Sequence, residues 1–395
     1  MSPQPLPYWR LSGFYLFYFA LLGATAPFLA LYFEHLGFSP ARIGELVAIP
    51  MLMRCVAPNL WGWLGDRSGR RLLIVRFGAF CTLASLSLIF VSQSYAWLAL
   101  VMALHAFFWH AVLPQFEVIT LAHLREQSAR YTQLRLWGSV GFILTVVGLG
   151  WLFEVFSLAL YPWILLAIIA GIALSSCWVP DAQPVHAPPV AERGGFVRQL
   201  RQPGVIAFYL CVALMQLSHG PYYTFISIHL ESLGYSRGVI GQLWALGVVA
   251  EIVLFMGMPW LMQRVSLRRL LIGSFLLAAL RWWLLGYLAE HWVVLLFAQL
   301  LHAATFGCFH AAVIHFVQRS FDSRQQGQGQ ALYAALAGVG GAFGALYAGY
   351  SWKALGPGWT FALASLAALG AAVIMSRWVP APVQPASGQL NDHDD

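Results

Sequence analysis

The chain has 395 residues, of which 60% are hydrophobic and only 9% charged, against roughly 25% charged in a soluble domain, so a water-soluble globular fold is excluded. The net charge of +7 would suit nucleic acid, but its arginines fall in short loops between apolar runs, where they orient a chain in a bilayer. Five cysteines (Cys55, Cys81, Cys177, Cys211, Cys308) sit inside apolar runs without CxxC spacing, which argues against disulfides, metal ligation and redox chemistry.

About twelve runs reach the roughly 20 apolar residues that a spanning helix needs. In chain order they are predicted at 8–33, 40–64, 70–92, 95–122, 130–153 and 158–179, then at 203–231, 236–262, 267–288, 290–318, 326–350 and 356–378. The first is too long for the apolar core of a signal peptide and reads as a transmembrane helix. All twelve are expected to be helical, because only helices and closed barrels satisfy their backbone in lipid. Residues 180–202, with Pro184, Pro188, Pro189 and the Gly194-Gly195 pair, read as a linker, and residues 379–395 as a polar, disordered tail. Arginines crowd alternate loops, among them Arg10, Arg67, Arg70, Arg125, Arg198, Arg268 and Arg324. The positive-inside rule then places both termini, the linker and the tail in the cytoplasm of an inner-membrane protein.

The halves repeat. Leu36-Gly37-Phe38-Ser39 through Gly44-Glu45-Leu46 returns as Leu233-Gly234-Tyr235-Ser236 through Gly241-Gln242-Leu243, an offset of 197, and Leu104-His105-Ala106 returns in the same register as Leu301-His302-Ala303. The expected fold is an all-α membrane protein of two parallel, pseudo-symmetric six-helix bundles, residues 1–179 and 203–378, with a site between them near the bilayer midplane.

Five ionisable residues lie in the middle of apolar spans: Arg54, Glu117, Arg135, Glu251 and Arg281. Each costs about 2.5–3.5 kcal/mol at a helix centre on insertion scales, so they are expected to line a wet central cavity. Arg54 and Glu251 are related by the 197 offset. His302, Phe306 and His310 share a helical stripe with Gln299, and His219 with Gln216, Tyr222 and Tyr223 forms another. Tyr15, Tyr18, Leu22 and Thr25 give the first helix a similar face. No ATP-binding loop is possible around the one lysine, Lys353, and no HExxH, nucleophile-elbow or EF-hand pattern occurs. The chain is thus expected to be no enzyme and to need no cofactor or metal. Its expected partners are a small-molecule substrate, protons and lipid, with no nucleic acid and with the monomer as the functional unit.

The loop Gly62-Trp63-Leu64-Gly65-Asp66-Arg67-Ser68-Gly69-Arg70-Arg71 resembles the G-x-L-a-D-R-x-G-R-R/K signature of the major facilitator superfamily, departing only at Gly65. There Gly62 and Gly69 permit a tight turn, while Asp66, with Arg67 and Arg70, is expected to latch and release a helix end as a gate. Gln263 replaces the aspartate in the second half. Arg135-Leu136-Trp137-Gly138, His219-Gly220-Pro221-Tyr222-Tyr223, Leu246 through Glu251, Arg281-Trp282-Trp283 and Leu301-His302-Ala303 resemble the lactose-permease-like branch, and within it bacterial phenylpropionate permeases and nucleoside–proton symporters. The resemblance implies substrate contact by Glu117, Arg135 and Phe142, and the polar aromatic stripes add His219, Tyr223 and His310 as candidate contacts. It implies proton coupling by Arg281 and His302; because Thr305 stands where the sugar symporter has a carboxylate, the remaining deeply placed acid near Arg281, Glu251, is the expected carrier, with Arg281 or Arg54 promoting release of its proton. The expected function is proton-coupled uptake of a small organic solute, an aromatic carboxylate such as 3-phenylpropionate. The alternative is sugar or nucleoside symport. A drug-exporting antiporter is disfavoured because Gly138 to Gly150 contains no proline.

Overall fold

The computed structural model describes residues 6–125, 127, 130–182 and 193–379. Among these, every regular element is helical. Helices α1 (Tyr8–His35), α2 (Pro40–Ser68), α3 (Arg71–Ser87), α4 (Tyr95–Leu124), α5 (Tyr131–Val155) and α6 (Tyr161–Trp178) form the first bundle. A short helix α7 (Arg193–Leu200) lies inside the predicted linker, whose residues 183–192, like the tail from 380, lie outside the described residues. The second bundle comprises α8 (Pro203–Ser218), α9 (Gly220–Ser232), α10 (Arg237–Arg264), α11 (Leu267–Tyr287), α12 (Trp292–Leu300), a π-helical turn at Ala303–Cys308, α13 (Phe309–Ser320) and α14 (Gln326–Trp378).

The expected seventh span is α8 and α9, broken at His219-Gly220-Pro221, where Pro221 cannot donate to the helix ladder. The tenth is α12 and α13 joined by the π turn. The last two run together as α14, which bends at Gly356 (φ 83°, ψ 171°) ahead of Pro357. Among the described residues, eleven helical stretches are long and apolar enough to cross a membrane, and the bend in the 53-residue α14 divides it into two, giving twelve passes. Each bundle has its own apolar core.

The repeat reads out as repeated geometry. Gly37 and Gly234 take left-handed φ of 81° and 89°, which residues with a Cβ avoid. In both, the next residue's N–H returns to the helix, Phe38 to the Phe33 carbonyl and Tyr235 to the Leu230 carbonyl, at 3.1 Å each. These are matching Schellman stops, which satisfy carbonyls left open at the end of α1 and α9.

The bundles meet tightly at the end that carries these turns. A Cβ on Gly44 would stand 2.5 Å from the Ala345 carbonyl oxygen and 2.9 Å from Gly349 Cα, and one on Gly241 would stand 2.2 Å from the Val146 oxygen. Glu154 accepts from the Ser236 hydroxyl and, at 2.9 Å, from the Gly238 N–H at the start of α10. Tyr350 donates to Glu45, and Arg237 to the Phe153 carbonyl at 3.2 Å. Further along, the Cys55 thiol reaches the Ala335 carbonyl. Among the described residues no hydrogen bond or ion pair joins the bundles beyond that point. The molecule is closed at one end and parted at the end where α1 begins.

Gly241→Val is expected to hold the closed end apart. Overpacking such a contact costs about 1–3 kcal/mol, so the closed population falls by about tenfold or more. Maleimide labelling of Ala348→Cys, a fully buried position in the parent, should accelerate correspondingly; unchanged labelling would show that this contact does not set the closed state.

Candidate functional site

The buried centre of the second bundle is organised by Arg281, which is fully enclosed. Its Nε donates to the Ala298 carbonyl at 2.9 Å, Nη1 to the Thr305 hydroxyl at 3.0 Å and Nη2 to Gln299 Oε1 at 3.4 Å, while Tyr222 lies under the guanidinium, 4.1 Å to the ring centroid. Tyr222 in turn donates to Gln299 Oε1 at 2.9 Å. All these acceptors are neutral. Nothing in this cradle neutralises the arginine.

Its charge is passed toward the cavity through an imidazole. Arg281 Nη1 and His302 Nδ1 are 3.2 Å apart. A guanidinium has only donors, so Nδ1 must accept, and the His302 proton sits on Nε2. That nitrogen stands 3.5 Å from Glu251 Oε2. The order is therefore a fixed cation, a neutral histidine in one defined tautomer, and a carboxylate that is 17% exposed at its side chain. Among the described residues, Glu251 is the one acid of the second bundle placed away from the helix ends.

The expected stripe of rings is present. His302 stacks on Phe306 at 5.3 Å and 8°, and Phe306 on His310 at 6.3 Å and 11°, while His310 Nδ1 meets the Tyr333 hydroxyl at 2.9 Å. The π turn lies within this stripe and carries Thr305 to Arg281 and Gly307 to Glu251. π turns concentrate at functional sites.

The first bundle presents a second polar group. Tyr131 donates to Glu117 Oε1 at 3.2 Å, and Arg135 lies over the Phe19 ring at 3.8 Å, close enough for its charge to act on Glu117, and across the bundles on Glu251 and His310. Arg54 is exposed on α2. It lies near Tyr18 and His110 of its own bundle and Tyr223, His310 and Tyr333 of the other. Among the described residues it has no ion pair or side-chain hydrogen bond.

The structure thus brings Glu251, His302 and Arg281 into one chain of contacts and sets Glu117, Arg135, Arg54, His310 and Tyr223 around the same central space. Arg54 stands across that space in the opposite bundle, without contact to the Glu251–His302–Arg281 chain. His219 is 2% exposed, its Nδ1 held by the Met215 carbonyl at 2.8 Å, and it stacks behind Tyr223 at 5.8 Å. It supports that tyrosine and does not open onto the cavity. Phe142 packs against the second bundle's core from α5, and its backbone lies against Gly23. Tyr15 and Tyr18 belong to the first bundle's core, Tyr15 bonded to Thr120 at 3.2 Å.

The signature loop lies at the open end. Asp66 pairs with Arg71, which also donates to Gln115 at 2.6 Å, so the motif ties α2 to α3 and α4 within its own bundle. Gly69 ends α2 with φ 65°, and Gly62 faces open space. Arg67 lies over the Trp63 ring, and Arg70 is exposed. Sequence reasoning missed Thr305, Gln299 and Tyr222 as the cradle of Arg281; a hydroxyl one turn after His302 was the available signal.

Comparison with known proteins agrees with this architecture. The chain is 29% identical over 373 residues, 91% of its length and 96% of the other's, to a probable 3-phenylpropionic acid transporter of Escherichia coli (strain K12). It is 28% identical to the maltose permease of Geobacillus stearothermophilus, covering 86% and 87% of the two chains. The crystal structure of the nucleoside transporter NupG superposes with a TM-score of 0.82 over 93% of this chain and 98% of that one, at 17% identity, which speaks for the fold alone. Residues 8–363 match the model of the MFS_1 like family, and the chain accordingly belongs to that family of major facilitator transporters.

Proposed function

We propose that the protein takes up a small organic anion, an aromatic carboxylate of the 3-phenylpropionate kind, together with a proton. The observation that carries this reading is the arrangement of a free Arg54 on one wall and the Glu251–His302–Arg281 chain on the other. A guanidinium without a partner in a membrane interior is costly, and a carboxylate solute would supply the pair of charge-assisted bonds it lacks. Phe306, the exposed ring of the histidine stack, and Tyr223 offer aromatic faces near it.

Glu251 is the proton carrier in this reading. Ionised, it faces the His302 N–H; protonated, it is neutral and leaves no net charge to be dragged through the rocking movement. His302 cannot take that role while Arg281 occupies its Nδ1. Anion and proton then cross as a neutral sum, and alternating access about the central site follows from rocking of the bundles. By the positive-inside rule the arginine-rich loops favour both termini in the cytoplasm of an inner membrane. The closed end is then the outer one, and the structure is the inward-open state. Asp66, with Gly62, Arg67, Gly69 and Arg70, would re-pair with the opposite bundle when that end shuts. The monomer suffices for all of this.

A second reading has its own support. Glu117, Tyr131 and Arg135 form a hydroxyl-binding group suited to a sugar or nucleoside, in keeping with the maltose permease likeness. Uptake into proteoliposomes decides between them. Labelled 3-phenylpropionate is expected to accumulate with external alkalinisation, while maltose and nucleosides do not. Accumulation of maltose or a nucleoside instead would replace the anion reading, and solute entry without proton movement would remove the coupling.

A further inference from the structure

The 197-residue repeat makes it possible to ask what each bundle places around its central charge. Glu251 and His302 of the second bundle correspond to Arg54 and His105 of the first. By the same offset Gly247 corresponds to Pro50 and Gly307 to His110. In the first bundle these last two positions touch each other, His110 Nε2 lying 3.1 Å from the Pro50 carbonyl. In the second bundle both are glycine, and the space they leave is filled by the functional pair. A Cβ on Gly247 would stand 3.3 Å from His302 Cδ2 and 3.4 Å from its Cβ and Cγ, and a Cβ on Gly307 would stand 3.0 Å from Glu251 Cγ. Glycine weakens a helix interior relative to alanine, so two glycines here are a local cost with a local use.

We propose that Gly247 and Gly307 are positioning residues that set the separation of Glu251 from His302, and hence the pH at which the transporter loads its proton. The ring has little room to retreat. Its Nδ1 is held by Arg281 at 3.2 Å and one face is stacked on Phe306, so a methyl group at 247 displaces Nε2 relative to the carboxylate. At 307 the methyl displaces the carboxylate stem itself, between His302 and Leu254, whose Cδ2 would be 3.3 Å away. The charged and titratable groups that face Glu251 are His302 and His310 on the tenth span, Arg135 on α5 and Tyr223 on α9, with Arg281 of α11 behind His302. None of these is touched by either substitution except through the pair.

The inference rests on the proposed proton coupling, and its test separates the two. Gly247→Ala and Gly307→Ala are compared with Gly257→Ala, on the same helix as Gly247 but with nothing within 4 Å of its Cβ. In proteoliposomes the pH profile of 3-phenylpropionate uptake is expected to move to higher pH by about half a unit or more in the first two, because the polar N–H that faces the charged carboxylate at 3.5 Å is moved away from it. Solute exchange without a gradient should persist, and Gly257→Ala should match the parent. Glu251→Asp combined with Gly307→Ala, which shortens the stem by one methylene, should move the profile back toward the parent. An unchanged profile in both alanine variants of a proton-coupled parent would overturn the inference and leave the function intact. Failure of both to fold, with Gly257→Ala folded, would also overturn it, in favour of packing. A parent that moves solute without protons would instead remove the function on which it stands.

Discussion

Glu251→Gln is expected to abolish accumulation of solute against its gradient while leaving exchange of labelled for unlabelled solute in place. The amide keeps the volume of the side chain and an oxygen to face His302 Nε2, so neither the π turn at Ala303–Cys308 nor the Arg281 cradle should be disturbed. What it loses is the proton. One pH unit is worth 1.36 kcal/mol, so one proton coupled across about two units drives about a hundredfold accumulation. The variant should show none, with external alkalinisation gone. Exchange needs only that loaded carrier rock in both directions, and a permanently neutral residue 251 satisfies that. Concentrative uptake by Glu251→Gln would remove Glu251 as carrier and shift attention to Glu117.

The reason for favouring Glu251 is local and physical. Arg281 is enclosed, and among the described residues its hydrogen bonds go to the Ala298 carbonyl, Thr305, Gln299 and His302, with the Tyr222 ring beneath it. In a low-dielectric interior its charge is felt further than in water, and the one path of contacts toward an acid is through His302 to Glu251. Arg281→Ala would strand the acceptors it serves and leave a void as well, so it tests folding more than coupling.

Much of this is legible in the sequence. The repeat of Leu36-Gly37-Phe38-Ser39 at 233–236 marks two Schellman stops that only glycine makes cheaply, and the two-bundle fold follows from it. Four of the five intramembrane charges, Arg54, Glu117, Arg135 and Glu251, stand around one space, whereas Arg281, expected to line it as well, is fully enclosed in the second bundle, because neutral acceptors on its own neighbours satisfy its guanidinium there. Periodicity did not reveal the π turn, since a single inserted residue leaves the spacing of His302, Phe306 and His310 unchanged while altering what each faces. The same limit explains Tyr15 and Tyr18. Their spacing suits a cavity face, yet tyrosine hydroxyls are as readily satisfied inside a bundle, here by Thr120 for Tyr15. His219 looked like a ligand for the same reason and proved to be the support of Tyr223. The 197 offset pairs Arg54 with Glu251, and because the repeat sets equivalent places in different bundles the two stand on opposing walls.

Arg54→Gln is expected to raise the KM for 3-phenylpropionate by about ten- to a hundredfold, since a hydrogen bond to a charged group contributes about 1.5–3 kcal/mol. The side chain makes no bond within the described residues, so its removal strands no partner and the fold should be untouched. The informative comparison is with 3-phenylpropionamide, which has the same ring and length but no charge. If Arg54 holds the carboxylate, the parent should discriminate acid from amide and Arg54→Gln should lose that discrimination, leaving the weak transport of the amide unchanged. Arg135→Gln makes a useful contrast. Its guanidinium is already covered on one face by Phe19 at 3.8 Å and lies beside Glu117, so its loss should weaken acid and amide alike through disorder of that group. Equal losses for acid and amide in Arg54→Gln, with discrimination lost only in Arg135→Gln, would move the anion site to α5 and leave Arg54 without a part in holding the carboxylate.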